Sequence, residues 1–547
     1  MTNSEPPAID PDIVDADPDP SSSSGSSRGG LLRSSALVGA GTALSRITGF
    51  VRVAAIAYAF GASNLGDAYN LANQAPNVVY ELILGGILSA TLVPVFIDHL
   101  KRDDGGVQAI VAVTLRVLVV LTVAAVVAAP WIMRLYTSLR DADDAAALEA
   151  VGVPLMRMFL VQILFYGLTT LATAILNARK VFTAPAFAPV LNNLVVAAVM
   201  VAVPIVNGGN PELADVNDDA GLLLLIGLGT TAGIVAMTVV LWPFVRRTGL
   251  SFPLDAPMRH PAVREVARLS GWTVGYVAAN QVALAVIAVL ANQREGDVTA
   301  YTTAFVFFQL PHGLVAVSIM TTFLPELSDA AASDDWVRFR SRFAYGLRAL
   351  AAAILPASVG YVVIGRPLVS VLLQRGSFDA ADVAVTADIL QNFALGLVGF
   401  SVYLYALRGF YAMKDTKTPF VLNVFENGLN IVLAVALVGP LGVQGLALAY
   451  AGAYLTAAVV ALLVLRTRIG GLGGSVTRRS LTGTAGAAVA MGVIVGAVTA
   501  RVGGLSGAGA LARVGLGVGL GAAVYVAILG LLGSTFSPNH RVDDPAN

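Results

Sequence analysis

Cysteine is absent from the 547 residues, and charged residues make up only 12% of them. Without a thiol the chain has no disulfides, thiolate metal sites or cysteine nucleophiles. Soluble domains contain about 25% charged residues, so an ordinary soluble protein is excluded. The four histidines, His99, His260, His312 and His540, lie too far apart in sequence to form a local metal motif.

Apolar residues are abundant instead, at 56% of the chain, and the mean hydropathy is +0.76. Apolar runs of twenty or more residues recur along nearly the whole length, which indicates a polytopic α-helical membrane protein. Fourteen spans are predicted, near 34–60, 67–97, 107–136, 147–178, 184–206, 221–245, 271–292, 299–328, 345–374, 382–413, 418–440, 442–465, 480–501 and 508–533.

Basic residues are distributed unevenly between the loops. With a cytoplasmic N-terminus, eighteen Lys and Arg residues fall in the cytoplasmic loops and only five, Arg140 among them, fall on the opposite side. Cytoplasmic loops of membrane proteins carry an excess of Lys and Arg. We therefore predict a multi-pass protein of the cell membrane with both termini in the cytoplasm.

Two stretches about 234 residues apart resemble each other. "LNARKVFTAPAFAPVLNN" (176–193) matches "FYAMKDTKTPFVLNVFEN" (410–427), which pairs Asn193 with Asn427. The two stretches hold the same place in spans 1–6 and 7–12, and both halves start in the cytoplasm. This indicates a parallel repeat about an axis along the membrane normal, with a substrate site between the halves.

The repeat and the composition together predict the organisation of the chain. Its parts are a disordered cytoplasmic tail (1–33), an N-lobe of spans 1–6 (34–247), an amphipathic surface linker (248–270), a C-lobe of spans 7–12 (271–468), spans 13 and 14 (469–535) and a second cytoplasmic tail (536–547).

The first span contains two arginines, Arg46 and Arg52, in "ALSRITGFVRVAAIAYAF" (43–60). They lie roughly 18 and 27 Å into the membrane, and on an ideal helix their side chains are about 120° apart. A bend at the hinge candidate Gly49 would turn both guanidiniums toward one cavity. Guanidinium groups bind phosphate through two hydrogen bonds, so we expect an anionic substrate, a phosphate ester or a pyrophosphate.

Other charged residues within the spans leave alternatives open. Asp67 begins span 2, where a carboxylate suits both a helix cap and a transport role. Glu426, followed by Asn427, is either a proton or cation site or the partner of Arg408. We therefore treat Arg408, Glu426 and Asn427 as coupling or structural residues.

Four segments resemble signature sequences of a known family: "SRITGFVR" (45–52), "FGASNLGDAYNLANQAPN" (60–77), "LLQRGSF" (372–378) and "FYAMKDTKTP" (410–419). They are similar to the MurJ/MviN lipid II flippases of the multidrug/oligosaccharidyl-lipid/polysaccharide exporter superfamily. The resemblance implies an all-α membrane protein with two six-helix lobes in a V shape and two further C-terminal helices. It also implies alternating access that moves lipid II, an undecaprenyl-pyrophosphate-linked disaccharide-pentapeptide, outward for peptidoglycan synthesis.

The resemblance also suggests the residues that bind the substrate. These candidates are Arg46, Arg52, Asp67, Asn77, Tyr80 and Gln309. Tyr80 stands where many members have a cavity arginine, and Gly85 where they have a glutamate. Phe305 and Val306 replace an Asp-Arg pair. The cavity is therefore expected to be less cationic than in those members.

Compositionally the chain is similar to actinobacterial members, and we expect none of the kinase-like extension that some of those carry. No enzymatic activity, metal, cofactor or nucleic-acid partner is expected. Expected partners are lipid II, membrane lipids and cell-wall synthesis proteins, with a coupling cation or the membrane potential left open.

Three alternatives stay open alongside the flippase hypothesis. An exporter of another polyprenyl-linked glycan would share the same architecture. A drug or cation antiporter would need buried carboxylates as its main site, whereas the deep charges here are mainly arginines. A non-transporting cell-wall scaffold would not need Arg46 and Arg52 in the membrane.

Overall fold

A computed structural model describes residues 24–81, 88–102, 104–250 and 260–532, and within these ranges the secondary structure is helical without strands. The helices are α1 (Ser24–Phe60), α2 (Asn64–Tyr80), α3 (Leu88–Arg102), α4 (Gly106–Thr137), α5 (Ala142–Leu160), α6 (Gln162–Ala178), α7 (Thr183–Asn207), α8 (Leu213–Asp218), α9 (Ala220–Val239), α10 (Trp242–Arg246), α11 (Pro261–Ala291), α12 (Asp297–Pro311), α13 (Val317–Ala332), α14 (Trp336–Leu373), α15 (Ala380–Ala412), α16 (Lys417–Leu441), α17 (Val443–Ile469), α18 (Gly474–Thr499) and α19 (Gly507–Leu531).

Twelve segments in the described ranges are long and apolar enough to cross a membrane. Every predicted span except the second and the seventh overlaps one of them. The described parts of the second span are α2 and α3, which flank residues 82–87. The seventh corresponds to a shorter apolar stretch, Gly275–Ala291, within α11. The prediction of an all-α polytopic membrane protein with about fourteen spans is therefore confirmed.

The eighth span is interrupted by a π-helical turn, His312–Ala316, which joins α12 to α13. Pro311 directly precedes this turn, and a proline cannot donate the helical hydrogen bond to the carbonyl four residues earlier. That carbonyl, Phe307 O, instead accepts a hydrogen bond of 2.6 Å from the Tyr361 hydroxyl. The wider turn therefore begins where the ordinary helical bonding fails.

Two predicted boundaries differ from the structure. α1 begins at Ser24, within the predicted tail, and residues 1–23 and the predicted C-terminal tail lie outside the described residues. Of the predicted surface linker, residues 251–259 lie outside the described residues, and from Pro261 onward α11 runs unbroken into the seventh span. His260 caps this helix by accepting a hydrogen bond of 3.2 Å from the Ala262 N–H, and Pro261 occupies its first position.

Helix packing follows the internal repeat. We refer to α1–α10 as the N-terminal half and α11–α17 as the C-terminal half. In the first, α1 packs on α7; in the second, α11 packs on α16, and α15 packs on α14 and α17. The last two helices, α18 and α19, pack on each other and on α14. The halves touch where α2 meets α12 and where α3 and α4 meet α11.

Candidate functional site

Asp67, in the first turn of α2, is completely buried against the N-terminus of α12. Its carboxylate accepts hydrogen bonds from the Gly296 N–H (2.8 Å), the Thr299 N–H (2.9 Å) and the Thr299 hydroxyl (2.9 Å). A carboxylate at a helix N-terminus binds free N–H groups and is favoured by the helix dipole. Asp67 therefore caps a helix that belongs to the opposite half of the molecule.

Arg140, in the connection between α4 and α5, completes this arrangement. Its Nη2 lies 2.9 Å from Asp67 Oδ2, and the two side chains are only 2% and 0% exposed. The guanidinium also donates to Asn292 O (3.2 Å), Asn292 Oδ1 (3.0 Å), Arg294 O (3.0 Å) and the Asn64 side chain. A single buried cation thus joins the start of α2 to the end of α11 and the loop that follows it.

The same side of the molecule brings two of the signature segments together. The Ser377 N–H donates to Tyr58 O (3.0 Å), and the Ala62 N–H donates to the Asp382 carboxylate (3.0 Å). Gly376 has a φ of +62° and packs against Tyr58, where a side chain would collide with the backbone. We call this surface, residues 58–67 and 140 against 292–299 and 376–382, the outer seam.

Arg46 lies at the boundary between the two halves. The residue is exposed on α1, and its guanidinium rests against Gly313 in the π-helical turn, where any side chain would collide with Nη1. The neighbouring His312 interacts electrostatically with both Arg46 and Arg408, and its Nδ1 lies 3.0 Å from Ser401 Oγ. Basic groups from α1 and α15 therefore face one region beside the bent eighth span.

Arg52 faces a different space, a cavity of about 580 Å³ inside the N-terminal half. The other residues lining this N-half cavity are Ser45, Gly49, Val93, Tyr166, Thr169, Thr170, Thr173, Ala174, Asn177, Pro185, Ala188, Pro189, Asn192, Asn193 and Met237. Arg52 Nε is buried and has no hydrogen-bond partner among the described residues. Polar groups thus surround a guanidinium that the protein leaves partly unpaired.

A bend at Gly49 was expected to bring Arg46 and Arg52 together. α1 remains helical through this residue, so the two guanidiniums keep different directions and only Arg52 lines the N-half cavity. Asn193 supports the helix here, since its amide donates to Ser45 O (3.1 Å) and to Thr48 Oγ1 (3.2 Å). Contrary to the expectation from sequence, Arg46 and Arg52 do not share one cavity in this structure.

The remaining substrate candidates are dispersed. Asn77 donates to its own helix at Asn73 O (2.9 Å), and Gln309 is exposed on α12. The side chain of Tyr80, like Gly85, lies outside the described residues. Contacts of the described residues therefore do not bring Asn77 or Gln309 into the N-half cavity.

Glu426 lies in a second cavity, of about 370 Å³, which is lined by the C-terminal half and by Gln74 of α2. The residue is 1% exposed, Tyr454 lines the same cavity, and Glu426 Oε2 has no partner among the described residues. Asn427 donates to Asn280 Oδ1 (2.9 Å), which also accepts from Asn423 (3.0 Å). We call this polar group the C-half cluster.

Pairing of Glu426 with Arg408 was one alternative for these residues. Among the described residues, no ion pair within 4.0 Å joins them. Phe305 and Val306 line the cavity beside Glu426, so the residues that replace the family's Asp-Arg pair make its wall apolar.

A further contact joins the halves at the opposite end of the molecule. His99, at the end of α3, has Nδ1 2.8 Å from Asp104 Oδ2 and Nε2 3.6 Å from Glu265 Oε2 on α11. His260 Nε2 lies 3.2 Å from Asp104 O. Burial alone would raise the pKa of Asp104, but hydrogen bonds from Gly106 and His99 and the nearby histidine charges lower it overall. We call these four residues the inner contact.

Sequence reasoning did not identify Arg140 or the inner contact. One signal was available for Arg140, which is among the few basic residues that violate the charge asymmetry of the loops. Its partner Asp67 lies 73 residues away in sequence, so only the fold reveals the pair. The histidines of the inner contact are 161 residues apart and carried no spacing signal.

Comparison with known proteins gives consistent matches. The family model described as lipid II flippase MurJ matches residues 56–512. The lipid II flippase MurJ of Burkholderia cenocepacia is 31% identical over 404 residues, which cover 71% of this chain and 75% of that protein. The probable lipid II flippase MurJ of Vibrio cholerae is 28% identical over 524 residues, covering 92% and 96% of the two chains.

Two solved structures share the fold. A lipid II flippase MurJ in an inward closed conformation superposes with a TM-score of 0.72 at 20% identity, covering 90% of this chain and 98% of that one. An inward-facing multidrug resistance transporter of the MATE family, from the MOP superfamily, gives 0.64 at 16% identity, covering 78% and 96%. At these identities the likeness establishes the architecture alone.

Proposed function

The chain belongs to the lipid II flippase MurJ family, and we propose that it moves the pyrophosphate-linked headgroup of lipid II from the cytoplasmic to the outer leaflet by alternating access. The observation that carries this proposal is that the outer seam is closed while two arginines face internal space. Arg46 lies at the boundary of the halves, and Arg52 lines the N-half cavity. Such a transporter offers its substrate site to one side of the membrane at a time.

The outer seam supplies the closed gate of this cycle. With the termini in the cytoplasm, as the charge asymmetry favours, the seam faces outward. Opening it separates the Asp67 carboxylate from the N-terminus of α12 and breaks the contacts of Arg140 across the halves. Hydrogen bonds to charged groups contribute about 1.5–3 kcal/mol each, so opening needs compensation from substrate binding or a coupled gradient.

The anionic headgroup provides part of that compensation. A diphosphate bound beside Arg46 attracts basic groups of both halves, because Arg408 belongs to α15 and Arg46 to α1. Charge-assisted hydrogen bonds between guanidinium and phosphate are strong and directional. Binding between the halves favours closure on the cytoplasmic side and thereby opening of the outer seam.

The C-half cluster is proposed to couple transport to an ion or a proton. Glu426 is a buried carboxylate whose Oε2 has no partner among the described residues, and three asparagines, Asn280, Asn427 and Asn430, line the same cavity. Buried ionisable residues in membrane helices commonly mark proton or ion pathways. The membrane potential can add about 2.3 kcal/mol for each charge moved across 100 mV.

A lipid II accessibility assay in cells depleted of this protein tests the proposal. Cells that rely on the wild-type chain should expose lipid II on the outer surface and grow. Cells that rely on Arg46→Ala should do neither, although the variant is present in the membrane at the wild-type level. Arg501→Ala is the matched control, because this arginine is exposed at the end of α18. Unchanged lipid II exposure after depletion would refute the flippase proposal and favour a scaffold in cell-wall synthesis.

The gate can be tested separately, since the chain contains no cysteine. Ala62→Cys and Ser377→Cys place two thiols on opposite sides of the outer seam. A short, cleavable thiol cross-linker should stop lipid II transport, and cleavage should restore it. Transport that continues with the seam fully cross-linked would show that this surface does not open.

A further inference from the structure

The two arginines of the first span face separate spaces in the structure. Arg46 contacts the π-helical turn at the boundary of the halves, whereas Arg52 lines the N-half cavity. Six residues of helix separate the two by about 9 Å along the axis and about 120° around it. In this structure the two guanidiniums therefore offer an anionic ligand two separate sites.

The surroundings of the two guanidiniums also differ in charge. Arg46 shares its region with Arg408, since both act on His312, so two guanidiniums face one space there. Among the described residues that line the N-half cavity, Arg52 is the one charged group. A diphosphate with two or more negative charges is best matched at the first position, and a single carboxylate at the second.

The polar lining of the N-half cavity favours a peptide. Thr173, Asn177 and Asn192 line the cavity with polar side chains, and Asn192 Oδ1 is buried without a partner among the described residues. The Thr169 and Thr170 hydroxyls are already hydrogen-bonded within the N-terminal half. Amides both donate and accept hydrogen bonds, as peptide groups do. The volume of about 580 Å³ is within the range of small-ligand pockets.

We propose that the N-half cavity is a subsite for the peptide part of the lipid II headgroup, in which Arg52 pairs with a peptide carboxylate. Arg46, with Arg408, then binds the diphosphate. This division rests on the proposed function, because lipid II carries its diphosphate and its peptide carboxylates as separate anionic groups. The two arginines are therefore specificity-determining residues for different parts of one substrate.

Binding to purified protein in lipid nanodiscs distinguishes these roles with three probes that share one short polyprenyl chain. The first is the polyprenyl diphosphate alone, the second is the corresponding lipid II, and the third is that lipid II with its peptide carboxylates amidated. Arg52→Ala should weaken binding of lipid II by about tenfold or more and leave the diphosphate probe within about twofold of wild type. Arg46→Ala should weaken binding of all three.

Amidation supplies the decisive comparison. In the wild-type protein, amidation of the peptide carboxylates should weaken lipid II binding about as much as Arg52→Ala does. In the Arg52→Ala variant, amidation should have no further effect on binding. Thr173→Val, which removes a lining hydroxyl without a change of charge, is the matched cavity variant and should weaken lipid II more than the diphosphate probe. If Arg52→Ala does not fold, Arg52→Gln and Thr173→Val take its place.

Each other outcome has a defined meaning. Equal losses for all three probes in Arg46→Ala and Arg52→Ala would overturn the division and leave the flippase function standing. An additive effect of amidation in Arg52→Ala would overturn the pairing with a carboxylate. Absence of binding of every probe to the wild type, together with unchanged lipid II exposure in depleted cells, would overturn the proposed function itself.

Discussion

The two halves of the protein place an asparagine at equivalent points of the repeat and then use opposite charges beside it. In the N-terminal half, Asn193 donates to the backbone of α1, and the neighbouring cavity holds Arg52. In the C-terminal half, Asn427 donates to Asn280 on α11, and the neighbouring cavity holds Glu426. The same packing of helices thus supports a cation in one half and a carboxylate in the other.

This difference suggests how a duplicated scaffold acquires two tasks. A buried group needs polar neighbours whatever its charge, and the asparagines meet that need in both halves. We propose that the charge of Arg52 or Glu426 then selects the ligand of each half. An arginine favours an anionic substrate, whereas a buried glutamate with an unpaired oxygen favours a proton or a cation.

Reversing the charge of the N-half cavity should have the largest effect. Arg52→Glu gives this cavity the charge of its C-terminal counterpart and repels an anionic headgroup, so lipid II transport and growth by complementation should be lost. Arg501→Glu, at an exposed helix end, should retain both. Normal growth with Arg52→Glu would show that the charge difference between the halves does not matter for transport.

Neutralising the C-terminal half should have an intermediate effect. Glu426→Gln keeps the shape of the side chain and removes its charge, so lipid II binding should stay within about twofold while the transport rate falls by about tenfold. Lipid II transport into vesicles, measured at several pH values and sodium concentrations, should also stop depending on one of these two variables. An unchanged rate with unchanged dependence would assign Glu426 a structural role.

Removing the shared asparagine should have a smaller effect, seen mainly in stability. Asn193→Ala and Asn427→Ala each remove interhelical hydrogen bonds, which contribute about 0.6–2 kcal/mol in membrane proteins. Asn427→Ala should cost more, because it leaves Asn280 with one fewer donor, whereas Ser45 O can keep its helical partner. Thermal unfolding in detergent measures both variants, and an equal shift would contradict this ranking.

The smallest effect should come from the inner contact, which joins the halves outside the membrane. The pKa of Asp104 is lowered in the folded protein, so its contribution is complete above the ordinary carboxyl range and is lost as the pH falls through the lowered value. Protection against hydrogen exchange at residues 99–106, taken relative to the intrinsic rate at each pH, should therefore be high at neutral pH and fall in acid. Asp104→Asn should remove that acid dependence, and an unaltered profile would contradict the role of this carboxylate.

The contacts of the charged residues are the feature of this protein that the sequence predicted least well. Asp67 was recognised as a helix cap or a transport residue, yet the helix that it caps begins 230 residues later, at Asp297. Arg46 and Arg52 were identified together, but their directions depend on whether α1 bends at Gly49. Asn193 holds the helix at that point from another element, and no local pattern in the first span reports such a contact.

Composition and periodicity by themselves determined that this chain spans a membrane, roughly where each span lies, and which side chains within the spans are costly to bury. They could do so because these properties depend on hydrophobic length and local charge. The tertiary structure alone decided that Arg140 meets Asp67, that the arginines of α1 separate, and that Glu426 has no arginine partner within the described part of the chain. Those outcomes depend on contacts between helices distant in sequence, where the direction of each side chain is set by packing.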